Sequence, residues 1–195
     1  MKKTYNINEI FYSLQGEGYY TGEPAVFVRF SGCNLACEWC DTDHRKGTEM
    51  TAAEIGVACK NALPENRGTK NMLLVLTGGE PALQVDFELI RTLRLLGFYI
   101  AIETNGTHEI PDDIDWITLS PKAGSKLAID FADEVKVVYT SESPEHWRKK
   151  IQCHNWFLQP LDNGNSTNIN ETTAYVLTHP DWKLSLQTQK ILHIR

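Results

Sequence analysis

Met72-Leu-Leu-Val-Leu-Thr-Gly-Gly-Glu-Pro81 is the stretch of sequence that decides the fold. Its first half, Met72–Leu76, is a continuous apolar run, the pattern of a strand covered on both faces. Asp86–Leu96 follows with apolar residues at helical spacing and stops at Gly97, and Tyr99–Ile102 is the next apolar run. A buried strand, a helix and a second buried strand predict a parallel pair joined by a right-handed crossover.

The same alternation of strands and crossovers extends in both directions along the chain. Ala25–Phe30 predicts an earlier strand, and Thr51-Ala-Ala-Glu54 is a capping box that opens a helix toward Asn61. Some crossovers, such as Asn105–Asp115, are too short for a full helix. Further strands are predicted at Trp116–Leu119, Glu134–Val138 and Trp156–Leu158, helices at Pro144–Ile151 and Glu171–Thr178, and a last strand or extended tail at Leu184–Leu186.

These elements predict one α/β domain that spans residues 1–195. A complete eight-unit barrel typically needs about 250 residues, more than this chain has. We therefore predict an incomplete TIM-type barrel of about six parallel strands with reduced helices. The strands end in Gly, Pro, Asn, Lys or acidic residues, and parallel α/β folds place their chemistry at that edge.

Composition and charge argue against a nucleic-acid-binding, membrane or secreted protein. The net charge is −6 and the pI about 5.5, without the basic cluster that usually binds a phosphate backbone. No stretch approaches the roughly 20 apolar residues of a membrane span. The lysines at the start are not followed by the apolar run of a secretory signal. We expect a cytoplasmic protein that acts on a small molecule, with neither nucleic acid nor membrane as a partner.

Three of the five cysteines lie close together, in Cys33-Asn-Leu-Ala-Cys37-Glu-Trp-Cys40. In a reducing cytosol such crowding indicates metal or redox chemistry rather than disulfides. Three thiolates on one loop can hold three irons of a cubane cluster and leave the fourth iron open, whereas electron-transfer clusters usually take four cysteines. Cys59 and Cys153 stand alone in apolar-patterned segments and are expected to be core residues.

A structural zinc site is the alternative interpretation of this loop. His44 follows Cys40 closely enough that a Cys₃His site can be drawn. Structural zinc sites usually bring their ligands as two spaced pairs from opposing elements. The spacing therefore favours the iron–sulfur cluster without excluding zinc.

The C-x₃-C-x-aromatic-C pattern, with Trp39 as its aromatic residue, resembles the signature loop of the radical S-adenosylmethionine superfamily. Thr77-Gly-Gly-Glu-Pro81 resembles the superfamily's motif for holding the amino group of the cofactor. The resemblance implies a [4Fe–4S] cluster whose open iron is chelated by S-adenosylmethionine. One electron from the cluster then cleaves the cofactor into methionine and a 5′-deoxyadenosyl radical.

A closer resemblance covers nearly the whole chain. Glu9–Gly18, Pro24–Phe30 and Cys40–Asp43 resemble the family of 7-carboxy-7-deazaguanine synthases, which serve queuosine and related deazapurine biosynthesis. The resemblance implies a radical ring contraction of 6-carboxy-5,6,7,8-tetrahydropterin that releases ammonia, regenerates S-adenosylmethionine and uses Mg²⁺. It also implies a homodimer and an electron donor such as flavodoxin or ferredoxin, and it assigns no protein acid or base.

The resemblance also implies the site residues. Arg29 would take the substrate carboxylate through its planar fork, Thr42 would contact Mg²⁺, and the terminal carboxylate of Arg195 would reach the substrate. Gln189 stands where family members often have histidine and cannot titrate near neutrality, so a proton-transfer role there is in doubt. The cluster ligands are Cys33, Cys37 and Cys40; the substrate contacts are Leu14, Gln15, Gly16, Arg29, Thr77 and Arg195; and the S-adenosylmethionine contacts are Trp39, Cys40, Asp41, Gly79, Glu80, Glu103, Ser120, Pro121, Lys122, Gln159, Pro160, Leu161 and Asp162.

Two rival functions remain open on the sequence. An activating enzyme that makes a glycyl radical on a partner protein has the same cysteine loop, but Gln15, Arg29 and Thr42 suit a small carboxylated heterocycle better. The other rival is a non-enzymatic binding module stabilised by zinc. A zinc protein would stay colourless when it is reconstituted with iron and sulfide under anaerobic conditions.

Overall fold

The computed structural model describes residues 2–66, 72–162 and 167–195. Within them the chain forms nine β-strands and five α-helices. The strands are β1 (Tyr5–Leu14), β2 (Pro24–Phe30), β3 (Thr48–Met50), β4 (Met72–Gly78), β5 (Phe98–Thr104), β6 (Trp116–Leu119), β7 (Glu134–Tyr139), β8 (Asn155–Pro160) and β9 (Lys183–Leu184). The helices are α1 (Ala52–Ala62), α2 (Phe87–Leu95), α3 (Glu145–Arg148), α4 (Ile169–Thr178) and α5 (Thr188–Leu192), and a 3₁₀ turn lies at Pro81–Leu83.

One sheet contains all nine strands, in the order β3-β1-β2-β4-β5-β6-β7-β8-β9. β1 pairs antiparallel with both β2 and β3. Every neighbouring pair from β2 to β9 is parallel. β2 and β4 to β8 are the main parallel strands, and the two-residue β9 extends them. The predicted incomplete barrel with few helices is confirmed.

The prediction misses β1 because a bulge breaks its alternation. The register of β1 against β2 shifts between Ile7 and Glu9. Tyr5 and Ile7 pack in the core under the helices, whereas Phe11 packs on the opposite face of the sheet. An extra residue in a strand moves all later side chains to the other face, so no single period of two describes this segment.

Helices α1 and α2 cover the outer face of β2, β4 and β5. The predicted capping box is present: the Glu54 carboxylate accepts from the Thr51 N–H at 2.8 Å, and the Thr51 hydroxyl accepts from the Glu54 N–H. Asp86 caps α2 by accepting from the Leu89 N–H at 3.0 Å. Cys59 is fully buried in the core under these helices, as predicted. Cys153 is half-buried against a second core built on Trp147, Trp156 and Trp182.

The inner face of the sheet changes from apolar to polar along the strands, toward their carboxyl-terminal ends. Phe27, Val75 and Ala101 are buried on this face in the lower part of β2, β4 and β5. Side chains two residues further along a strand point the same way, and these are Arg29 and Glu103 on β2 and β5, with Thr77 on β4. The parallel register pairs Arg29 with Thr77. The sheet therefore presents polar side chains at its carboxyl-terminal edge, next to a layer of buried apolar side chains.

Candidate active site

A cleft of about 680 Å³ opens at the carboxyl-terminal edge of the parallel strands. Its walls come from the segments that follow β1, β2, β4, β5 and β6, and from the C-terminal segment. Every predicted cluster, magnesium and substrate residue lines it: Cys33, Cys37, Cys40, Thr42, Leu14, Gln15, Gly16, Arg29, Thr77 and Arg195. Of the predicted S-adenosylmethionine contacts, Trp39, Cys40, Asp41, Gly79, Glu103, Ser120, Lys122 and Gln159 line it as well.

The remaining predicted cofactor contacts lie outside this lining: Glu80, Pro121, Pro160, Leu161 and Asp162. Pro121 lines a neighbouring cleft of about 380 Å³ that shares Cys37, Trp39 and Lys122 with the first. The Asp162 carboxylate lies 3.3 Å from the ammonium of Lys190 on α5. A direct contact between these residues and the cofactor stays a prediction.

Glu80 is fully buried, and protein groups occupy both of its carboxylate oxygens. One oxygen accepts from the Thr104 hydroxyl at 2.7 Å and from the Ala82 N–H at 2.9 Å. The other accepts from the Asn105 N–H at 2.7 Å. Glu80 therefore ties the end of β4 to the end of β5, and this tie fixes the turn that carries Gly78 and Gly79.

The two glycines of this turn are required by close backbone packing. Gly78 has φ of +125°, and a Cβ on it would lie 2.3 Å from the Phe30 carbonyl oxygen. A Cβ on Gly79 would lie 1.9 Å from the carbonyl oxygen of Gly32, just before the first cysteine. The Glu80 N–H donates to that same Gly32 oxygen at 2.9 Å. The turn after β4 is thus packed directly against the cysteine loop, which glycine alone allows.

The cysteine loop presents three thiols to one wall of the cleft. Cys33 and Cys37 are half-buried and Cys40 is exposed. The Gly32 N–H donates to the His44 carbonyl oxygen at 2.9 Å, which closes the base of the loop. Burial raises the pKa of the Cys33 thiol. A set of three thiols, with neither remaining cysteine among the cleft-lining residues, fits a cubane cluster with one open iron.

His44, the fourth ligand of the zinc alternative, lines the same cleft as the three cysteines. In residues 2–66, 72–162 and 167–195, no three or more His, Cys, Asp or Glu side chains are grouped as ligands of one metal ion.

Lys122 and Trp39 lie together beside the cysteines. The Lys122 ammonium lies 5.3 Å from the centroid of the Trp39 ring and donates to the Ser120 carbonyl oxygen at 2.8 Å. Burial lowers the pKa of Lys122 to about 8. The lysine and the indole together form a cationic and aromatic wall next to Cys37.

A buried ionic network that the sequence prediction misses lies across the floor of the cleft. The Lys136 ammonium contacts the Glu17 carboxylate at 2.5 Å and the Glu103 carboxylate at 2.9 Å. Burial opposes both charges, but the Lys136 ammonium holds the pKa of Glu17 at about 2. Among these residues sequence reasoning identified only Glu103. The missed signal is Lys136 itself, a charged residue inside the apolar strand predicted at Glu134–Val138.

The C-terminal segment completes this network. The side-chain amides of Gln187 and Gln189 donate to the Glu17 carboxylate at 2.9 and 3.0 Å. The Thr188 N–H and hydroxyl both donate to the Gly16 carbonyl oxygen, at 3.0 and 2.9 Å. A Cβ on Gly16 would lie 1.9 Å from the Gln189 side-chain oxygen. Hydrogen bonds and close packing therefore attach the start of α5 to the loop after β1.

The side chain of Gln15 is already engaged within the protein. Its amide nitrogen donates to Glu103 at 2.9 Å, and its amide oxygen accepts from the Gly16 N–H at 2.8 Å. Glu17 beside it is an ionised carboxylate that lines the same cleft. Glu17 can accept further hydrogen bonds from a ligand rich in N–H groups.

Comparison with known proteins agrees with this geometry. The family model of the Radical SAM superfamily matches residues 27–149. A 7-carboxy-7-deazaguanine synthase from Bacteroides thetaiotaomicron is 50% identical over 189 residues, which are 97% of this chain and 98% of the relative. One from Bradyrhizobium diazoefficiens is 42% identical over 98% of this chain and 100% of the relative. The crystal structure of QueE from Escherichia coli matches with a TM-score of 0.75 at 26% identity and covers 94% of both chains.

The matches extend over nearly the full chain, and the family model spans the cysteine loop and the strands that form the cleft. The cleft holds the three thiols of that loop together with the arginine and the threonines expected from the sequence. The chain therefore belongs to the 7-carboxy-7-deazaguanine synthase family of the Radical SAM superfamily.

Proposed function

We propose that this chain converts 6-carboxy-5,6,7,8-tetrahydropterin to 7-carboxy-7-deazaguanine and ammonia by a radical ring contraction. The observation that carries the proposal is that one cleft contains both a three-thiol loop and Arg29. The thiols suit a cluster with an open iron, and a guanidinium suits a carboxylated substrate. The product belongs to deazapurine biosynthesis, in which the related enzymes act.

As a member of the Radical SAM superfamily, the chain uses a [4Fe–4S] cluster and S-adenosylmethionine. When bound, these supply the radical that removes a hydrogen atom from the substrate. Cys33, Cys37 and Cys40 are the proposed cluster ligands, since they are the cleft's three thiols. Trp39 and Lys122 form the adjoining wall, and their position supports their proposed role in holding the cofactor.

Thr42 is the proposed Mg²⁺ contact. Thr42 is half-buried and lines the cleft, and so do its neighbours in sequence, Asp41 and Asp43. Mg²⁺ prefers oxygen ligands and keeps several waters, so this oxygen-rich corner fits the ion.

The polar floor supports recognition of the pterin ring. Thr77 presents a hydroxyl from the end of β4, and Glu17 presents an ionised carboxylate held by Lys136 and two glutamines. The pterin carries several N–H donors, which a carboxylate accepts in short charge-assisted hydrogen bonds. We therefore add Glu17 to the predicted substrate contacts.

The test is anaerobic turnover with the carboxytetrahydropterin, S-adenosylmethionine, Mg²⁺ and a low-potential reductant, followed by mass spectrometry of the product. We expect 7-carboxy-7-deazaguanine without net consumption of S-adenosylmethionine. Cys37→Ala should abolish turnover, while Cys153→Ala, outside the cleft, should retain it. Accumulation of 5′-deoxyadenosine without the deazaguanine would contradict the proposed substrate.

Three further features are proposals that rest on the family. We propose a flavodoxin or ferredoxin as reductant, a homodimer, and a cytoplasmic location. No helix in residues 2–66, 72–162 or 167–195 has the length and apolar character needed to cross a bilayer. Sedimentation of the reconstituted protein tests the dimer, and reduction by purified flavodoxin or ferredoxin tests the electron donor.

A further inference from the structure

We propose that the side chain of Arg195, held by Glu9, is a second cationic arm that acts with Arg29 to select a carboxylated substrate. This inference rests on the proposed function and concerns the same cleft. It differs from the expectation drawn from the family, which assigned a substrate contact to the main-chain carboxylate at Arg195 rather than to its guanidinium.

The Glu9 carboxylate lies between two guanidinium groups. One oxygen of Glu9 is 2.8 Å from Nε of Arg29, and the other is 3.3 Å from Nη2 of Arg195. Both guanidiniums lie over the Phe11 ring, at 5.8 and 5.5 Å from its centroid. Glu9, Phe11 and both arginines line the cleft. One buried ring and one carboxylate therefore bring the two cations to the same end of the cleft.

The main chain fixes the C-terminal arm in this place. The Ser13 hydroxyl donates to a main-chain carboxylate oxygen of Arg195 at 2.7 Å. Ser13 and Glu9 are both on β1, so Arg195 is attached to this strand through its backbone and through its side chain. Arg195 thus approaches Arg29 from the opposite side of Glu9.

Glu9 uses only part of the guanidinium donors at this end of the cleft. The side chains of Arg29, Arg195 and Glu9 carry a net charge of +1, and the main-chain carboxylate of Arg195 offsets it, so the excess here is one of N–H donors rather than of charge. A guanidinium carries five N–H donors. In the part of the chain that the structure describes, Glu9 is the one carboxylate paired with either arginine. The remaining donors of both forks can bind one more carboxylate, and the substrate supplies one.

Arg195 is the more exposed of the two arms. Its side chain is 72% exposed, compared with 23% for Arg29. Solvent weakens an ion pair at such a position, so Arg29 should supply most of the affinity and Arg195 a smaller, carboxylate-specific part. Loss of Arg195 should therefore reduce selectivity rather than abolish binding.

The experiment measures binding of two stable, fluorescent probes to the anaerobic holoenzyme: 6-carboxypterin, which has the carboxylate, and pterin, which lacks it. The test variant is Arg195→Met, which keeps an unbranched side chain but removes the charge. Arg195→Lys restores the charge without the fork. Arg91→Met is the matched control, because Arg91 is exposed on α2, away from the cleft, and its loss changes the net charge equally.

We expect Arg195→Met to weaken 6-carboxypterin binding about tenfold, equivalent to about 1.4 kcal/mol, and to leave pterin binding unchanged. Arg195→Lys should recover part of the loss, and Arg91→Met should bind both probes like the wild type. With the natural substrate, Arg195→Met should raise KM and leave kcat nearly constant.

The inference is overturned if Arg195→Met keeps the wild-type preference for the carboxylated probe, or if it weakens both probes equally. It is also overturned if the wild type itself shows no preference. Turnover of the carboxytetrahydropterin by the wild type tests the proposed function separately. If the wild type turns over this substrate but Arg195→Met keeps the wild-type preference for 6-carboxypterin, the inference about Arg195 fails and the proposed function stands.

Discussion

Lys136 is the residue on which the floor of the cleft depends most. Its ammonium is buried between the carboxylates of Glu17 and Glu103, and these two carboxylates raise its pKa despite the burial. A buried ion pair is not an efficient source of stability, but removing one partner leaves the other charge unpaired. Lys136 therefore holds in place two acidic side chains that line the cleft.

We expect Lys136→Met to lower the free energy of unfolding by about 3 kcal/mol, because two half-buried carboxylates lose their counter-ion. Urea unfolding of the anaerobic reconstituted protein measures this. Lys183→Met on the exposed strand β9 is the control and should change stability by less than about 0.5 kcal/mol. Adding Glu103→Gln to Lys136→Met should recover part of the loss. Equal stability of Lys136→Met and the wild type would contradict this account.

Glu134 is a second buried acid, two residues before Lys136 on the same strand. Burial raises its pKa to about 7 from the ordinary 4.5, although Lys136 opposes the shift. One of its oxygens accepts from the Tyr19 N–H at 3.1 Å. The folded state therefore favours the protonated acid. The destabilisation caused by ionisation is absent below pH 4.5 and fully present above about pH 7.

Glu134→Gln should therefore stabilise the protein at about pH 8 by about 1–3 kcal/mol and have little effect at about pH 4.5, since the amide keeps an acceptor for Tyr19. Thermal unfolding midpoints at the two pH values measure the difference. A stabilisation of the same size at both pH values would show that ionisation of Glu134 is not its cause.

At the scale of elements, α5 connects parts of the cleft that are far apart in sequence. Lys190 on this helix lies 2.9 Å from the Asp41 carboxylate beside the last loop cysteine and 3.3 Å from Asp162 after β8. Gln187 also donates to Asp41, at 3.3 Å. The helix is only five residues long, so side-chain contacts rather than its own hydrogen bonds hold it in place.

Lys190→Met should weaken S-adenosylmethionine binding by about two- to tenfold, because Asp41 and Asp162 lose the shared cation that fixes their position. Equilibrium dialysis with the reconstituted protein measures the dissociation constant. Lys190→Arg, which keeps the charge, should bind almost as well as the wild type. If Lys190→Met binds the cofactor with wild-type affinity, α5 does not position the cofactor side of the cleft.

At the scale of the whole molecule, the sequence correctly predicts the strands and helices that are encoded by a local pattern of apolar and capping residues. The apolar run at Met72–Leu76 and the capping box at Thr51 correctly predict β4 and α1, and the parallel topology follows from them. Because parallel strands end at one edge, the motifs after each strand are expected to meet there. The cleft brings together Cys33, Arg29 and Thr77 in this way.

The features that sequence reasoning misses depend on contacts between distant segments. Lys136 meets Glu17 across 119 positions of sequence, and no local pattern predicts that pairing. Strand β1 is hidden by its bulge, and α5 is too short to show a helical period. The hydrogen bonds from the Thr104 hydroxyl and the Asn105 N–H to the Glu80 carboxylate likewise join segments that no local pattern connects, while the predicted cofactor contact of Glu80 stays a prediction.

The central claim is that three thiols of one loop hold a [4Fe–4S] cluster with one iron open to S-adenosylmethionine. The most direct measurement is electron paramagnetic resonance of the anaerobically reconstituted, dithionite-reduced protein, recorded with and without S-adenosylmethionine. We predict a reduced-cluster signal whose line shape changes when the cofactor is added. A colourless protein that retains zinc and gives no iron–sulfur signal would contradict the claim, and so would a cluster signal that S-adenosylmethionine leaves unaltered.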